Sequence, residues 1–178
     1  MLLKNLFGHL HTVGRHRRLV RKYCFKLGLY WQGLTHDLSK YSPTEFIPGV
    51  KYYTGKKSPV AGERNEYGFS KAWMHHKGRN RHHFEYWTDY SGPDKEMVGV
   101  PMPTEYFCEM FCDRVAASRI YNGKKYTDAM PLEYFYHAKE FRVMHKTTYD
   151  KLEKLLIMLK DEGEEKTFEY IKKEILKK

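Results

Sequence analysis

No stretch of the chain approaches the roughly 18 consecutive apolar residues that a bilayer-spanning helix needs, so no membrane partner is expected. Cysteine is scarce: Cys24, Cys108 and Cys112 are odd in number, and the spacing of the last two suits helix packing better than a zinc knuckle. Alternating strand patterns are almost absent, as are internal repeats and low-complexity segments. The opening Met1-Leu2-Leu3-Lys4-Asn5-Leu6-Phe7 is too short and too soon basic for a secretory signal, which points to the cytoplasm. No DNA- or RNA-binding motif stands out.

What is present supports one compact domain over 1–178, with a core over about 9–145 and a helical C-terminal extension over about 147–178. The chain has 178 residues, of which 41% are hydrophobic and 16% aromatic, enough for a bulky core. Its formal net charge of +10 favours anionic partners. A small phosphorylated substrate is the preferred one. Nucleic acid is the less favoured partner because the basic residues are dispersed. The oligomeric state has no signature in the sequence.

The hydrophobic period predicts an all-α fold. Residues 2–27 form one long helix, with His9, Val13, His16, Val20 and Leu27 on one arc and His11, Arg15, Arg18 and Arg21 opposite. Gly28 stops it, and a short helix from Leu29 carries His36-Asp37 near its end. Ser42-Pro43-Thr44-Glu45 reads as a cap with proline at the first helical position, opening a short helix through Phe46. Residues 54–68 read as a long loop. Ser70 caps a helix that Gly78 breaks, and a further helical piece runs from His82 towards Trp87. Residues 91–103 read as a connection. Thr104 caps a helix that Gly123 stops, Pro131 and Thr147 open two more, and a charged helix follows from about Glu164.

The chemistry concentrates in His36-Asp37-Leu38-Ser39-Lys40 and in Asp113-Arg114. Asp113 shares its helix face with Met110, Ala116, Ala117 and Ile120, where an ionised carboxylate is costly unless it is paired or binds a metal. An arginine partner, Arg114 for instance, is the plain alternative. His16 sits likewise in an apolar arc. Two imidazoles and two carboxylates make a borderline nitrogen and oxygen site, suited to manganese, iron, cobalt, nickel or zinc, with magnesium also compatible. Such a site lowers the pKa of a bound water.

This order of a histidine, a His-Asp pair and a distant aspartate, all on helices, resembles the HD-domain superfamily of metal-dependent phosphohydrolases. His36-Asp37-Leu38-Ser39-Lys40 is similar to that family's His-Asp-(Ile/Leu)-Gly-Lys form, and Cys112-Asp113-Arg114-Val115-Ala116-Ala117 to its Ala-Asp-Arg-Leu-type segment. The resemblance implies His16, His36, Asp37 and Asp113 as ligands of a first ion, with His9 the alternative to His16. It implies that Lys40 approaches the substrate phosphate or a metal-bound carboxylate. The whole chain also resembles an uncharacterised family of small HD-like bacterial and phage proteins, marked by a His-His-Lys-Gly-Arg-Asn-(basic)-His-His stretch.

That stretch, His75 to His83, packs four histidines and three cations into nine residues. In two-metal HD proteins, two further histidines bind a second ion together with the bridging aspartate. By that resemblance one of His75 or His76 and one of His82 or His83 serve here. The competing arrangement is a single ion, with Lys77, Arg79 and Arg81 holding a phosphate beside it. Glu85 is placed to orient a histidine or act as a general acid/base, with a surface carboxylate as the alternative. Hydrolysis of a small phosphomonoester or nucleotide by a metal-activated water is the expected activity, with Asp37, Lys40 and Glu85 as its catalytic groups. An HD-type di-iron oxygenase and a basic nucleic-acid-binding module with a structural metal site are the alternatives.

Overall fold

The computed structural model describes residues 2–93, 95–137 and 143–178. Among these the fold is mainly α: α1 (Leu2–Lys26), α2 (Tyr30–Thr35), α3 (Pro43–Lys51), α4 (Val60–Tyr67), α5 (Lys71–Lys77), α6 (Thr104–Asn122), α7 (Met130–His137) and α8 (Lys146–Tyr170). No described helix is long and apolar enough to cross a membrane.

The core lies where α1, α6 and α8 meet. Val20, Cys24 and Leu27 from α1 and its end pack with Phe107, Cys108, Phe111, Cys112 and Val115 of α6 and with Leu152, Leu155, Leu156 and Leu159 of α8. These residues recur every three or four positions on each helix, so one face of each is removed from water. The three cysteines are free and buried, and burial pushes the Cys108 thiol up to about 12, so they serve packing.

Several boundaries follow the sequence. Gly28 and Gly123 end α1 and α6 with φ of +68° and +53°, a left-handed backbone that glycine adopts at little cost. Ser70 accepts a hydrogen bond from the Trp73 N–H at 2.9 Å and caps α5. Gly163, with φ +84° and ψ 172°, breaks α8 one residue before the predicted charged helix.

Other expectations need correction. Residues 54–68 contain α4, whose Gly62 brings the backbone against Tyr52: a Cβ there would lie 2.8 Å from that ring. The 91–103 connection is partly a hairpin, β1 (Thr88–Ser91) pairing antiparallel with β2 (Glu96–Gly99) in the register Thr88–Gly99. The helical piece after His82 is a single 3-10 turn, Phe84–Tyr86. Helix α3 runs on to Lys51 through Pro48, and Ser42 makes no side-chain cap, although Pro43 does occupy the first turn. Pro103 precedes α6, so Thr104 is a helical residue and not its cap.

Candidate metal centre

The centre lies between α1, the α2–α3 connection, α5 with the segment after it, and α6. Helix α2 stops at Thr35, and Arg17 of α1 takes up the carbonyls this leaves: its Nε donates to His36 O at 2.8 Å and its Nη2 to Leu34 O at 3.2 Å. Asp37 follows in the left-handed region, φ 53° and ψ 28°. Aspartate tolerates that region better than most L-residues, yet the conformation still costs free energy and needs support from its surroundings. Leu38–Tyr41 then form a 3-10 turn, and Asn80 clasps it by donating to Ser39 Oγ at 2.8 Å and to His76 O at 2.8 Å.

That turn points the Asp37 carboxylate inward, 1% exposed, with its two oxygens directed to different neighbours. Oδ2 faces the first set of donors. His16 Nε2 is 2.9 Å from Asp113 Oδ1 and 3.7 Å from Asp37 Oδ2. His36 Nε2 is 3.5 Å from Asp37 Oδ2, 3.6 Å from Asp113 Oδ1 and 3.4 Å from His16 Nε2. Ligand atoms about 2.1 Å from a common ion stand about 3.0 Å apart at right angles and about 3.4 Å apart in a tetrahedron. The spacing fits an ion.

Oδ1 faces the second set, 3.3 Å from His76 Nε2 and 3.5 Å from His82 Nε2. His83 completes it, its ring centroid 4.2 Å from that of His82 and 4.7 Å from that of His76. Asp37 Oδ1, His82 Nε2 and His83 Nε2 are buried and make no hydrogen bond. Each such atom costs about 1–3 kcal/mol when left without a partner, and a cation between them would be the partner of all three. The donor chemistry therefore fits two ions sharing Asp37.

The far sides of the rings are also held. Glu109, on α6 one turn before Asp113, places Oε1 2.8 Å from His36 Nδ1 and 3.1 Å from His82 Nδ1. Glu45 of α3 accepts from His76 Nδ1 and His75 Nδ1, each at 2.7 Å. Carboxylates behind ligating imidazoles fix their tautomer and raise their basicity. Sequence reasoning singled out neither residue for such a role. The available signal for Glu109 was its place four residues before Asp113, on the same helix face.

The electrostatics are those of a cation site. Burial opposes charge on Asp37, but His36, Lys40, His76 and His82 outweigh it and hold the carboxyl well below its usual range. Burial likewise opposes charge on Asp113, and hydrogen bonds from His16 and His36 hold it well below that range. Burial also opposes charge on His36, yet Asp37, Asp113 and Glu109 raise its pKa well above 6.5. Burial, reinforced by His82 and His76, pushes His83 well below 6.5, towards the neutral form that ligates metals.

Each sequence candidate can now be placed. His16, His36, Asp37 and Asp113 converge, and Asp113 pairs with histidines instead of Arg114. His9 is elsewhere, packed on Phe46 with ring centroids 5.4 Å apart. Of the run after α4, His76, His82 and His83 join the second set, whereas His75 turns to Glu45 and lies outside it, a correction to its place among the second-ion candidates. The adjacent His82 and His83 both face inward because they sit in a non-helical turn, where the 100° rule for neighbours does not hold. Lys40 Nζ is 3.3 Å from Asp37 Oδ2 and partly exposed. Glu85 is outside every donor set and lies within electrostatic range of Arg114. Arg81 bonds Tyr106 Oη at 3.3 Å, Arg79 is exposed and Lys77 half-buried, and none of the three belongs to the converging groups.

A family model described as "Family of unknown function (DUF5662)" matches residues 5–158, a span that includes every donor named above. No curated protein and no solved structure matches the chain. The chain belongs to that family of unknown function.

Proposed function

We propose that this member of a family without an assigned activity is an HD-type, metal-dependent phosphohydrolase acting on a small phosphomonoester or nucleotide. One observation carries the reading: the Asp37 carboxylate addresses two adjacent donor sets, Oδ2 towards His16, His36 and Asp113 and Oδ1 towards His76, His82 and His83. Divalent transition ions bound there would supply a water acidic enough to attack phosphorus near neutral pH and a Lewis acid for the phosphoryl oxygens.

The chain's own groups do the rest. Asp37 holds the two donor sets in register, and its strained backbone keeps both oxygens aimed. The Lys40 ammonium, beside Asp37 Oδ2 and partly open to solvent, is placed to meet a phosphoryl oxygen as charge builds on it. Asp37 raises the Lys40 pKa against the effect of burial, which keeps the ammonium charged. Arg79 and Lys77 would meet the substrate only at its periphery, and Glu85 is given no part in the chemistry.

Metal analysis of protein purified without chelators, followed by assay of a phosphomonoester and nucleotide panel with added manganese, tests this. Two ions per chain and turnover are expected. Asp37→Asn should lower turnover more than about 100-fold, beyond the 10–100-fold typical of changes behind the ligands. No turnover from metal-loaded protein would sink the hydrolase. Two irons with a visible absorption band and dioxygen uptake would assign the oxygenase instead. Nucleic-acid binding that weakens steeply with salt and survives His36→Ala and Asp37→Ala would mark a binding module.

A further inference from the structure

Glu109 is nearly sealed from solvent, and its carboxylate faces two imidazoles at hydrogen-bond distance. A carboxylate oxygen without a proton only accepts hydrogen bonds. Its Oε1 stands 2.8 Å from His36 Nδ1 and 3.1 Å from His82 Nδ1, so both of these nitrogens must carry the hydrogen. With Nδ1 turned to Glu109, Nε2 is the nitrogen each ring has for an ion. His36 Nε2 stands towards Asp37 Oδ2, and His82 Nε2 towards Asp37 Oδ1. The two rings lie 4.4 Å apart between centroids, tilted by 38°, so one oxygen serves a histidine from each donor set.

We infer that Glu109 is a shared positioning residue that sets the tautomer and aim of one imidazole in each donor set and thereby couples the loading of the two sites. The inference rests on the reading that both sets hold ions, and not on the phosphate chemistry. An ion on His36 Nε2 draws electron density from the ring and makes Nδ1–H a stronger donor. Glu109 is then held more firmly at the position that also aims His82. The second ion meets a ligand already ordered, and that part of its ordering cost is gone. Glu45 supplies the contrast, since its contacts are to His75 and His76 and reach one donor set only.

Manganese titration of the full chain, followed by equilibrium dialysis and EPR, separates the cases, because EPR distinguishes an isolated manganese from an exchange-coupled pair. Wild type at half loading should show coupled pairs and empty chains. Glu109→Gln keeps the shape and removes the charge. It should weaken both sites by about 10–100-fold, as for residues behind metal ligands, and show isolated ions at half loading. Glu45→Gln should weaken one site only. Unchanged affinities and pairing in Glu109→Gln, with only a lower melting temperature, would overturn the inference and leave the two-ion reading intact. A third ion per chain that Glu109→Gln abolishes would overturn it too, since Glu109 would then be a ligand. Wild type that binds no ion would remove the metal-centre reading itself. Nitrogen NMR of the zinc-loaded wild type does not depend on a variant folding: His36 and His82 should both carry hydrogen on Nδ1, and the opposite tautomer in either would refute the role.

Discussion

His9 and His16 stand on one arc of α1, two turns apart, yet only His16 reaches the donors. His9 lies instead under α3, where burial, with help from the Lys40 charge, pushes its pKa down from 6.5 to about 4. The folded protein therefore keeps His9 neutral, while the unfolded chain takes up a proton below pH 6.5. Its contribution to stability is complete above pH 6.5, is lost as pH falls towards 4, and changes no further below that. The loss is on the order of 3 kcal/mol, at 1.36 kcal/mol per pKa unit. Urea unfolding of metal-free protein should show that His9→Phe has a flatter decline over this window than wild type, and parallel curves would refute the assignment. His16 and Asp113 were legible because helical spacing puts a charged or imidazole group where only a satisfied one survives, and His36-Asp37 because the adjacent pair resembles a known motif. His75, Glu45 and Glu109 were not, because which of two adjacent histidines turns inward, and which acidic residue backs it, depends on how separate helices meet.

Helix α3 shows that dependence at the next scale. Gly49 lets α3 lie directly on α1: a Cβ there would fall 2.3 Å from His9 Nε2. Asn5 donating to Val50 O at 3.3 Å and the Thr12–Tyr53 hydroxyl pair at 3.0 Å hold the same contact. Gly49→Ala should force the helices apart and lower stability by about 1–3 kcal/mol, as overpacking does, measured by thermal unfolding. Because α3 carries Glu45, the second donor set should lose more manganese affinity than the first. Unequal losses of the opposite order would mean that α3 does not position His76. Helices α1, α5 and α6 were readable from their period, the Ser70 cap and the glycine stops. Helix α4 was hidden by its polar, glycine-containing sequence, since its role is to bury one residue, Glu63, which accepts from Ser70 Oγ and the Ala72 N–H at the start of α5. The hairpin was hidden because four-residue strands are too short to display alternation.

Over the whole molecule the donors come from α1, the α2–α3 turn, α5 with the segment after it, and α6, so ions bound there would tie together parts of the chain far apart in sequence. Removing them should cost the stabilisation of any ligand that binds only the folded state, about 2.7 kcal/mol at 100 times Kd. For a chain of this size that is a drop in Tm of about 5–10 °C. Calorimetry with and without chelator reads it, and Asp37→Asn should remove the difference.

Another long-range tie is Glu164, which the Gly163 break turns inward to accept from Tyr23 Oη, Lys26 Nζ and Arg119 Nη2, each at 2.9 Å. Glu164→Ala should destabilise the fold by about 1–3 kcal/mol while leaving the number of bound ions unchanged, and loss of an ion would show that the tie reaches the donors. The segment that the family model matches ends at residue 158, before this residue. The donors thus all lie within the matched stretch, and a fastening of the helix that bears His16 lies beyond it. A change at Glu164 can therefore loosen the hold on that helix without touching a single donor.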